Sequence, residues 1–462
     1  MQPSHRYTRL TAIALGIAGV ISVGSAGASG FQIRENSVKN QGRSFAGSAV
    51  AEGDASVVAN NPAAMVNLDT VTVRGDVTAI DLTAKFRGGG TAATGSPFQS
   101  PLTGGNGGDP GDITPVPAMS IVVPLHGAFE KLTLGAQLSA PFGLKTEYDA
   151  NWVGRYNAIE SEVKTIDLTL SAAVKLTDRF SIGAGFIYER AEATLTNAVD
   201  FGSGVCANVR TRPLCLTPTP ATAAYGPQKN DGLAKVKGDD TGIGWILGFQ
   251  WKPTDALSIG YSHRSEIDHD LKGNITFTKP GNIAAIFAAG GVTDYDNGPG
   301  GAALTTPSTD TLSVSYKFTD QFRMMFDAQK TDWHSLKSVD IVRSNGIGVA
   351  QEAFNWEDTM MYALGAEYDF NDSFTLRGGV ALDESPTNDH ARTPRLPDND
   401  RTLYSLGLTW NANEHLSVDA AYTRIEIDSP NIDLYSPRTG IALKGRFSGH
   451  ADLFGIAAQY KF

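Results

Sequence analysis

The fold is decided by the stretch LFGIAAQYKF, residues 453–462, with which the chain ends. Its even positions carry apolar or small side chains: Phe454, Ile456, Ala458, Tyr460 and Phe462. Gly455, Gln459 and Lys461 alternate with them, and a period of two places the two sets on opposite faces of a β-strand. A final strand with one apolar face that ends in Phe is typical of the transmembrane β-barrels of the bacterial outer membrane. The stretch therefore predicts such a barrel.

The composition fits one large closed sheet and excludes other classes of protein. The chain has 462 residues, 50 glycines, a hydrophobic fraction of 41% and a charged fraction of 19%. A net charge of -11 argues against a nucleic-acid partner, because phosphate binding requires a basic face. After residue 28 no run of apolar residues is long enough for a membrane-spanning helix, whereas barrel strands need no such run.

The amino-terminus has the three parts of a Sec-type signal peptide, which we predict over residues 1–28. Its charged start contains His5, Arg6 and Arg9. An apolar stretch from residue 10 to 23 follows, and Ala26-Gly27-Ala28 fits an A-x-A cleavage site. The alternative is an uncleaved anchor helix, for which the apolar stretch is short. Export of a barrel predicts a place in the outer membrane of a Gram-negative bacterium.

Alternation with a period of two recurs along the chain and predicts fourteen antiparallel strands. Their approximate ranges are 70–86, 116–125, 130–146, 162–176, 179–196, 235–252, 256–275, 309–318, 321–335, 355–370, 373–384, 400–411, 415–428 and 443–462. A soluble β-sandwich would show the same alternation with its apolar face inward. The signal peptide and the aromatic residues at strand ends, such as Phe318 and Trp410, favour a membrane barrel with an interfacial girdle.

Short turns separate pairs of these strands and fix their number. Five turns rich in Asn, Asp and Thr and a looser sixth lie at 176–180, 253–257, 318–322, 370–374, 410–414 and 124–128. Between consecutive turns lie long polar loops. Short turns at one end and long loops at the other are typical of outer-membrane barrels. Six turns join twelve strands, and one further strand at each end of the chain makes fourteen, an even number as such barrels show.

Residues 29–69 lack the alternation and predict a plug for the lumen. They contain a run rich in Gly, Ala and Ser at 42–49, and then Asn61-Pro62-Ala63. Asn61 suits a helix N-cap and Pro62 the first helical position, so a short helix is expected to begin there. A fourteen-stranded barrel has a wide lumen. We therefore expect a mostly helical or irregular hatch over 29–69 that plugs a barrel over 70–462.

Pro141 and Gly143 interrupt the third predicted strand. Proline has no N–H for the ladder and glycine permits a sharp bend. Together they predict either an ordinary bulge or strand end, or a break in pairing that leaves a lateral gap in the wall.

Three segments resemble the FadL family of outer-membrane transporters for hydrophobic compounds, which includes TodX-like proteins. They are Ser29-Gly30-Phe31-Gln32-Ile33, Asn61-Pro62-Ala63 and the run from Pro141-Phe142-Gly143 to Tyr156. The resemblance covers the whole chain after the signal peptide. It implies a hatch that includes Phe31, Asn61, Pro62 and Ala63, and an inward kink at Pro141, Phe142 and Gly143.

The resemblance also implies a mechanism and a class of substrate. Long-chain fatty acids, or in some branches small aromatic or aliphatic hydrocarbons, enter from outside, reach a site beside the hatch and leave sideways through the wall. A fatty-acid carboxylate requires a buried cation. Arg190, Arg323 and Arg377 are candidates that the sequence cannot place near the hatch, so the choice between acid and hydrocarbon stays open.

Further partners follow from a barrel in the outer membrane. We expect contact with lipopolysaccharide and other outer-membrane lipid, and recognition of the last strand by the barrel-assembly machinery. We expect a monomer. Cys206 and Cys215 share one loop of an exported chain and are candidates for a disulfide, with two free thiols as the alternative.

The sequence contains no catalytic constellation, so we predict neither an enzyme nor a cofactor. No G-x-S-x-G or H-E-x-x-H motif occurs. His263 and His269 flank two acids, but a solvated polar face is the simpler interpretation than a metal site, and we predict no metal. Two rival functions remain: a general porin, which would lack a plug, and an outer-membrane lipase barrel, which would need a Ser-His pair.

Overall fold

The computed structural model describes residues 30–207, 211–216, 225–389 and 391–462. The predicted signal peptide lies outside these residues.

Fourteen antiparallel strands form a closed barrel, as the alternation predicts. They are β1 (Thr72–Ala92), β2 (Ile113–Pro124), β3 (Leu132–Ser139 and Gly143–Glu147), β4 (Glu160–Thr177), β5 (Phe180–Asp200), β6 (Asp231–Trp251), β7 (Leu257–Arg264 and Ile267–Thr278), β8 (Gly298–Thr306 and Thr309–Lys317), β9 (Phe322–Thr331 and Ser338–Arg343), β10 (Gly348–Ala353 and Thr359–Asn371), β11 (Phe374–Asp383), β12 (Arg401–Asn411), β13 (Leu416–Ile427 and Asn431–Ser436) and β14 (Ile441–Lys461). A further two-residue strand, Ser100–Pro101, pairs antiparallel with the end of β1. The barrel closes where β14 pairs with β1, from Thr72 opposite Lys461 to Thr91 opposite Ala442.

The two faces of the wall differ as a barrel in lipid requires. Outward side chains are large and apolar: Ile243 and Leu406 are each 68% exposed, and Ile456 is 57% exposed. Inward side chains are mainly polar and buried, such as Thr169 and Ser405. A soluble sandwich would bury the apolar set, so the structure excludes that alternative. Within the described residues, none of the helices is both long and apolar enough to cross a membrane.

Residues 30–68 lie inside the barrel, and we call them the lumenal segment. It contains two short α-helices, α1 (Val38–Gln41) and α2 (Val57–Asn60), and two 3-10 helices, Ser48–Val50 and Pro62–Asn67. The helix predicted to begin at Pro62 is present, and the Asn61 side chain caps it by accepting a hydrogen bond from the Ala63 N–H. The segment touches strands on opposite sides of the barrel, because its elements contact β4, β5 and β6 as well as β12, β13 and β14.

The long-loop end carries its own small apolar cluster. The helices there are α3 (Phe201–Ala207), α4 (Pro213–Leu216) and α5 (Gly281–Gly290). Two short 3-10 helices lie elsewhere: Gly127–Phe129 in the short turn between β2 and β3, and Trp333–Ser335 in the interruption of β9. A disulfide joins Cys206 of α3 to Cys215 of α4, with Cα atoms 5.4 Å apart. Phe201 and Phe287 pack together on this loop cluster, so α3 and α5 support each other.

Candidate functional site

Glycines on the inner wall allow the lumenal segment to approach the strand backbones. A Cβ atom at Gly183 would lie 2.4 Å from the Ala63 nitrogen, and one at Gly248 would lie 2.2 Å from Asn61 Oδ1. Real Cβ atoms do not come so close to other heavy atoms. Other inner-wall glycines meet the segment in the same way: Gly135, Gly260, Gly365, Gly379, Gly407 and Gly455. These glycines form a socket shaped for the segment.

Asn61, Pro62 and Ala63 lie against β5 and β6 and join two parts of the lumenal segment to the wall. The Asn61 amide donates to the carbonyl oxygens of Ala49, at 2.7 Å, and Phe249, at 3.0 Å. Ser181 donates its hydroxyl hydrogen to the Ala63 carbonyl at 2.9 Å. All three residues are buried. Asn61 therefore uses both ends of its amide, one for the helix cap and one for the wall.

Buried ion pairs hold the middle of the lumenal segment. Arg43 lies 2.7 Å from Glu367 of β10, which also binds Arg377 of β11 at 2.6 Å. On the other side of the lumen, Asp54 lies 3.4 Å from Arg74 of β1. Burial by itself would raise the pKa of Asp54, but Arg74 and Lys39 outweigh it and hold that pKa well below its usual range. Ion pairs with oppositely charged side chains of the wall thus bind the segment on both sides of the lumen.

Phe31 occupies an aromatic box at the start of the segment. Its ring centroid lies 5.0 Å from that of Trp333 and 5.7 Å from those of Phe142 and Trp356. Phe31 is 4% exposed and Trp333 is fully buried. Leu144 and Leu396 belong to the same apolar cluster. The box is large and apolar, and in this structure the protein's own Phe31 fills it.

The start of the segment also pairs with the interrupted third strand. The Ile33 N–H donates to the Pro141 carbonyl at 2.7 Å, and the Gly143 N–H donates to the Phe31 carbonyl at 2.7 Å. Gln32 forms an antiparallel bridge with Phe142. Residues 140–142 therefore turn inward and use the lumenal segment as a substitute partner.

The interruption of β3 acts differently on its two neighbours. Towards β4 it is a bulge: Ser139 pairs with Asp167 and Gly143 with Lys164, so β3 has one extra residue. Towards β2 the ladder runs from Pro124–Thr133 to Met119–Leu138 and stops there. The bulge is thus confirmed towards β4, and the ladder towards β2 ends at Met119–Leu138, whereas a lateral gap at this place stays a prediction.

We call the stretch in which β2 and β3 lack strand pairing the window. Residues 113–118 of β2 and 139–146 of β3 form its sides. Its far edge is closed by the Glu147 N–H, which donates to the Pro110 carbonyl at 3.0 Å, and by an ion pair of Lys145 with Asp112 at 3.3 Å. Within the described residues, the strand pairings of this part of β2 are with β1 alone.

The candidate cations lie in different places. Arg190 is on the outer surface, with its side chain 51% exposed and paired with Glu192 and Asp239. Arg377 is buried with Glu367 beneath the lumenal segment, and Arg323 binds the same carboxylate at 2.9 Å. Each is paired with acids, and neither of the last two lines the aromatic box.

Arg264 of β7 was missed by sequence analysis and lies nearest to the kink. Its guanidinium carbon is 5.8 Å from the centroid of the Phe142 ring. It binds Asp167 at 2.8 Å and Glu189 at 2.9 Å. Its Nε atom is buried and has no hydrogen-bond partner among the described residues. The same is true of the Trp333 indole nitrogen.

The two histidines considered for a metal lie on opposite faces of β7. His263 faces outward and binds Asp310 at 2.8 Å, whereas the side chain of His269 is fully buried in the lumen and binds Glu189 at 2.8 Å. They cannot share a metal, and the expected solvated polar face is wrong for His269. The reason is a one-residue bulge in β7. Ile246 pairs with Arg264 and Asp239 pairs with Lys272, so β7 has one residue more than β6 between these two pairs, and the later residues of β7 change face.

A polar cavity of about 100 Å³ lies between the lumenal segment and the wall. Ile33, Pro141, Asp167 and Arg264 line it, together with polar residues of β8 and β9. The cavity thus adjoins both the kink and Arg264. An apolar box beside a polar cavity that is lined by both arginines and aspartates suits a ligand with one apolar and one polar end.

Comparisons with known proteins agree with this architecture. A family model described as "Outer membrane protein transport protein (OMPP1/FadL/TodX)" matches residues 19–462. Outer membrane protein P1 of Haemophilus influenzae is 27% identical, and the alignment covers 97% of this chain and 98% of that protein. The long-chain fatty acid transport protein of Escherichia coli K12 is 27% identical, with 98% and 99% covered.

Solved structures show the same fold. The crystal structure of a Pseudomonas aeruginosa FadL homologue superposes with a TM-score of 0.85 at 27% identity, and the superposition covers 94% of this chain and 100% of the homologue. The P. putida toluene transporter TodX superposes with a TM-score of 0.65 at 16% identity, covering 96% of this chain and 99% of TodX. The second likeness is one of fold alone.

Proposed function

The chain belongs to the OMPP1/FadL/TodX family of outer-membrane transport proteins, and we propose that it takes up long-chain fatty acids through the aromatic box and the window in its wall. The proteins that it resembles include a long-chain fatty acid transport protein and a toluene transporter. Transport and not catalysis is therefore the activity that we propose.

One observation carries the proposal: Phe31, which fills the box, also binds the kink through its backbone, together with Ile33. Phe31 occupies the box with its ring, while the backbone of Phe31 and Ile33 bonds to Gly143 and Pro141. A ligand that enters the box must displace Phe31. Displacement of Phe31 breaks its hydrogen bond to Gly143, so binding of the ligand changes the kink that borders the window.

The energetics of an acyl chain suit this route. Each buried CH₂ group gains about 0.8 kcal/mol, so a chain of many such groups can outweigh the loss of the Phe31 contacts. From the box, the window leads to lipid and not to water. The acyl chain therefore remains in apolar surroundings from the box to the membrane.

The polar atoms near the box favour an acid over a hydrocarbon. Arg264 Nε and the Trp333 indole nitrogen are buried donors without a partner among the described residues. Such donors carry a desolvation penalty that a bound carboxylate would remove. A neutral hydrocarbon would leave them as they are. We propose that Arg264 binds the carboxylate, in the cavity that it shares with Pro141.

A ligand analysis with one matched pair of variants tests this function. Mass spectrometry of the organic extract of the purified protein should find a fatty acid. Arg264→Gln should weaken oleate binding by about tenfold, because a hydrogen bond to a charged group is lost, while toluene binding stays the same. Arg190→Gln, on the outer surface, is the control. Equal oleate affinity in all three proteins would refute the role of Arg264, and toluene binding alone would favour the hydrocarbon transporter.

A further inference from the structure

Two prolines of β2 lie in the edge that borders the window. Pro115 and Pro117 are the third and fifth residues of this strand, which begins at Ile113. Both belong to the ladder with β1, where Pro115 is opposite Ala79 and Pro117 is opposite Val77. They therefore lie within the strand and not at its first residue, and proline in such a position requires an explanation.

The register shows which way their backbone nitrogens point. The Leu125 N–H donates to the Leu132 carbonyl at 2.9 Å, in the same register as the pair Met119–Leu138. In an antiparallel pair the bonded residues alternate along the strand. Odd-numbered residues of β2 thus direct their N–H and C=O groups to β3, and even-numbered residues direct theirs to β1.

Continuing this register places the prolines opposite the kink. Pro117 would pair with Ala140 and Pro115 with Phe142 if β3 ran straight. At both positions β2 has no N–H to give. The bonds with β1 are unaffected, because the prolines occupy positions of that ladder that are not hydrogen-bonded. Each proline thus occupies a position where the missing N–H removes a hydrogen bond to β3 and none to β1.

We propose that Pro115 and Pro117 are positioning residues that keep the window open. An exposed strand edge in lipid would leave N–H groups without partners, and these would draw β3 back into the ladder. With proline at both positions the edge of β2 has no donor there. On the opposite side, the kink gives its own groups to the lumenal segment and to Thr165, which donates to the Phe142 carbonyl at 2.9 Å.

The prolines and the kink therefore act from the two sides of one opening. The kink removes β3 from the wall, and the prolines make its return unfavourable. Pro115 and the neighbouring Ile113, 63% exposed, face outward, so the edge lies against lipid. This inference rests on the proposed function insofar as the window is the exit for the ligand. The claim that the prolines prevent pairing stands on geometry alone.

The test restores the missing donors with the double variant Pro115→Val and Pro117→Val. Pro124→Val, in the paired part of the same strand, is the matched control. Two added hydrogen bonds should favour the closed wall, so oleate uptake by whole cells should fall by roughly tenfold or more. Hydrogen exchange should show the new amides at 115 and 117 to be protected.

The outcomes separate this inference from the proposed function. Rapid exchange of the new amides together with normal uptake would overturn the role of the prolines. Protected amides would support the role of the prolines, whatever the transport result. If the wild-type protein did not transport oleate, only the proposed function would be refuted. Heat-modifiable migration on gels checks folding. If the double variant does not fold, the single variant Pro117→Val is measured by the same exchange experiment and judged by the same criterion.

Discussion

The backbone nitrogen of Ile33 lies 2.7 Å from the carbonyl oxygen of Pro141. This bond joins the lumenal segment to the point where the third strand leaves the wall. A plug and a lateral opening would be separate devices if they did not touch. Here they share a backbone hydrogen bond and an aromatic ring pair, so a change in one must alter the other.

Deleting residues 31–63 should convert a closed barrel into a leaky one. The deletion removes the ion pairs of Arg43 and Asp54 and empties the lumen along its length. Current through planar bilayers should rise from near zero to a steady open-channel value. Conductance that stays at the wild-type value would refute the plug.

Gly248→Ala should loosen the lumenal segment without changing the outside of the barrel. The added Cβ would meet Asn61 Oδ1 at 2.2 Å, so the Asn61 cap must shift. Overpacking of this kind destabilises by about 1–3 kcal/mol. We expect increased antibiotic leakage into cells and faster hydrogen exchange in residues 61–67.

Gly75→Ala is the control for this variant, because nothing lies within 4 Å of a Cβ at that position. It should behave as the wild-type protein does. If both variants leaked equally, the effect would belong to the strands and not to the fit of the segment.

Phe31→Ala should raise the affinity for hydrophobic ligands. Phe31 fills the box formed by Trp333, Trp356 and Phe142, so its truncation leaves space that a ligand no longer has to clear. Titration with oleate should give tighter binding, and the variant should purify with more bound lipid. Phe98→Ala, at an exposed position, is the control. Weaker binding in Phe31→Ala would show that the ring holds the ligand instead of giving way to it.

Sequence reasoning was sufficient for the barrel because alternation and turn chemistry are local. A strand such as 453–462 shows its two faces directly, and the short turns count the strands. It also located the start of the helix at Asn61, whose capping depends on adjacent residues alone.

The site could not be derived in the same way because bulges change the faces of strands. A uniform period of two places His263 and His269 on one face, but the extra residue in β7 brings His269 inward. Arg264 then meets Glu189 and Asp167 from two other strands. Trp333 and Trp356 come together from interruptions of β9 and β10, inside the ranges 321–335 and 355–370 that the alternation assigned to regular strands.

Glu35 should make the seating of the lumenal segment depend on pH. Burial raises the pKa of Glu35 above its ordinary value of 4.5, although Arg34 opposes this. Its Oε2 atom has no hydrogen-bond partner among the described residues. A raised pKa means that the folded state holds the proton more tightly. The stability of the seated segment is therefore greatest below pH 4.5 and decreases as the pH rises through the raised value.

Glu35→Gln removes this dependence, because the amide stays neutral at every pH. In the wild-type protein, bilayer current should rise with increasing pH above 4.5, as the buried carboxylate ionises and loosens the segment. In Glu35→Gln the current should stay low over the same range. Glu130→Gln, at an exposed position in a short turn, should reproduce the wild-type curve. If the current rose equally in Glu35→Gln, the effect would belong to another group, because the glutamine at position 35 cannot ionise.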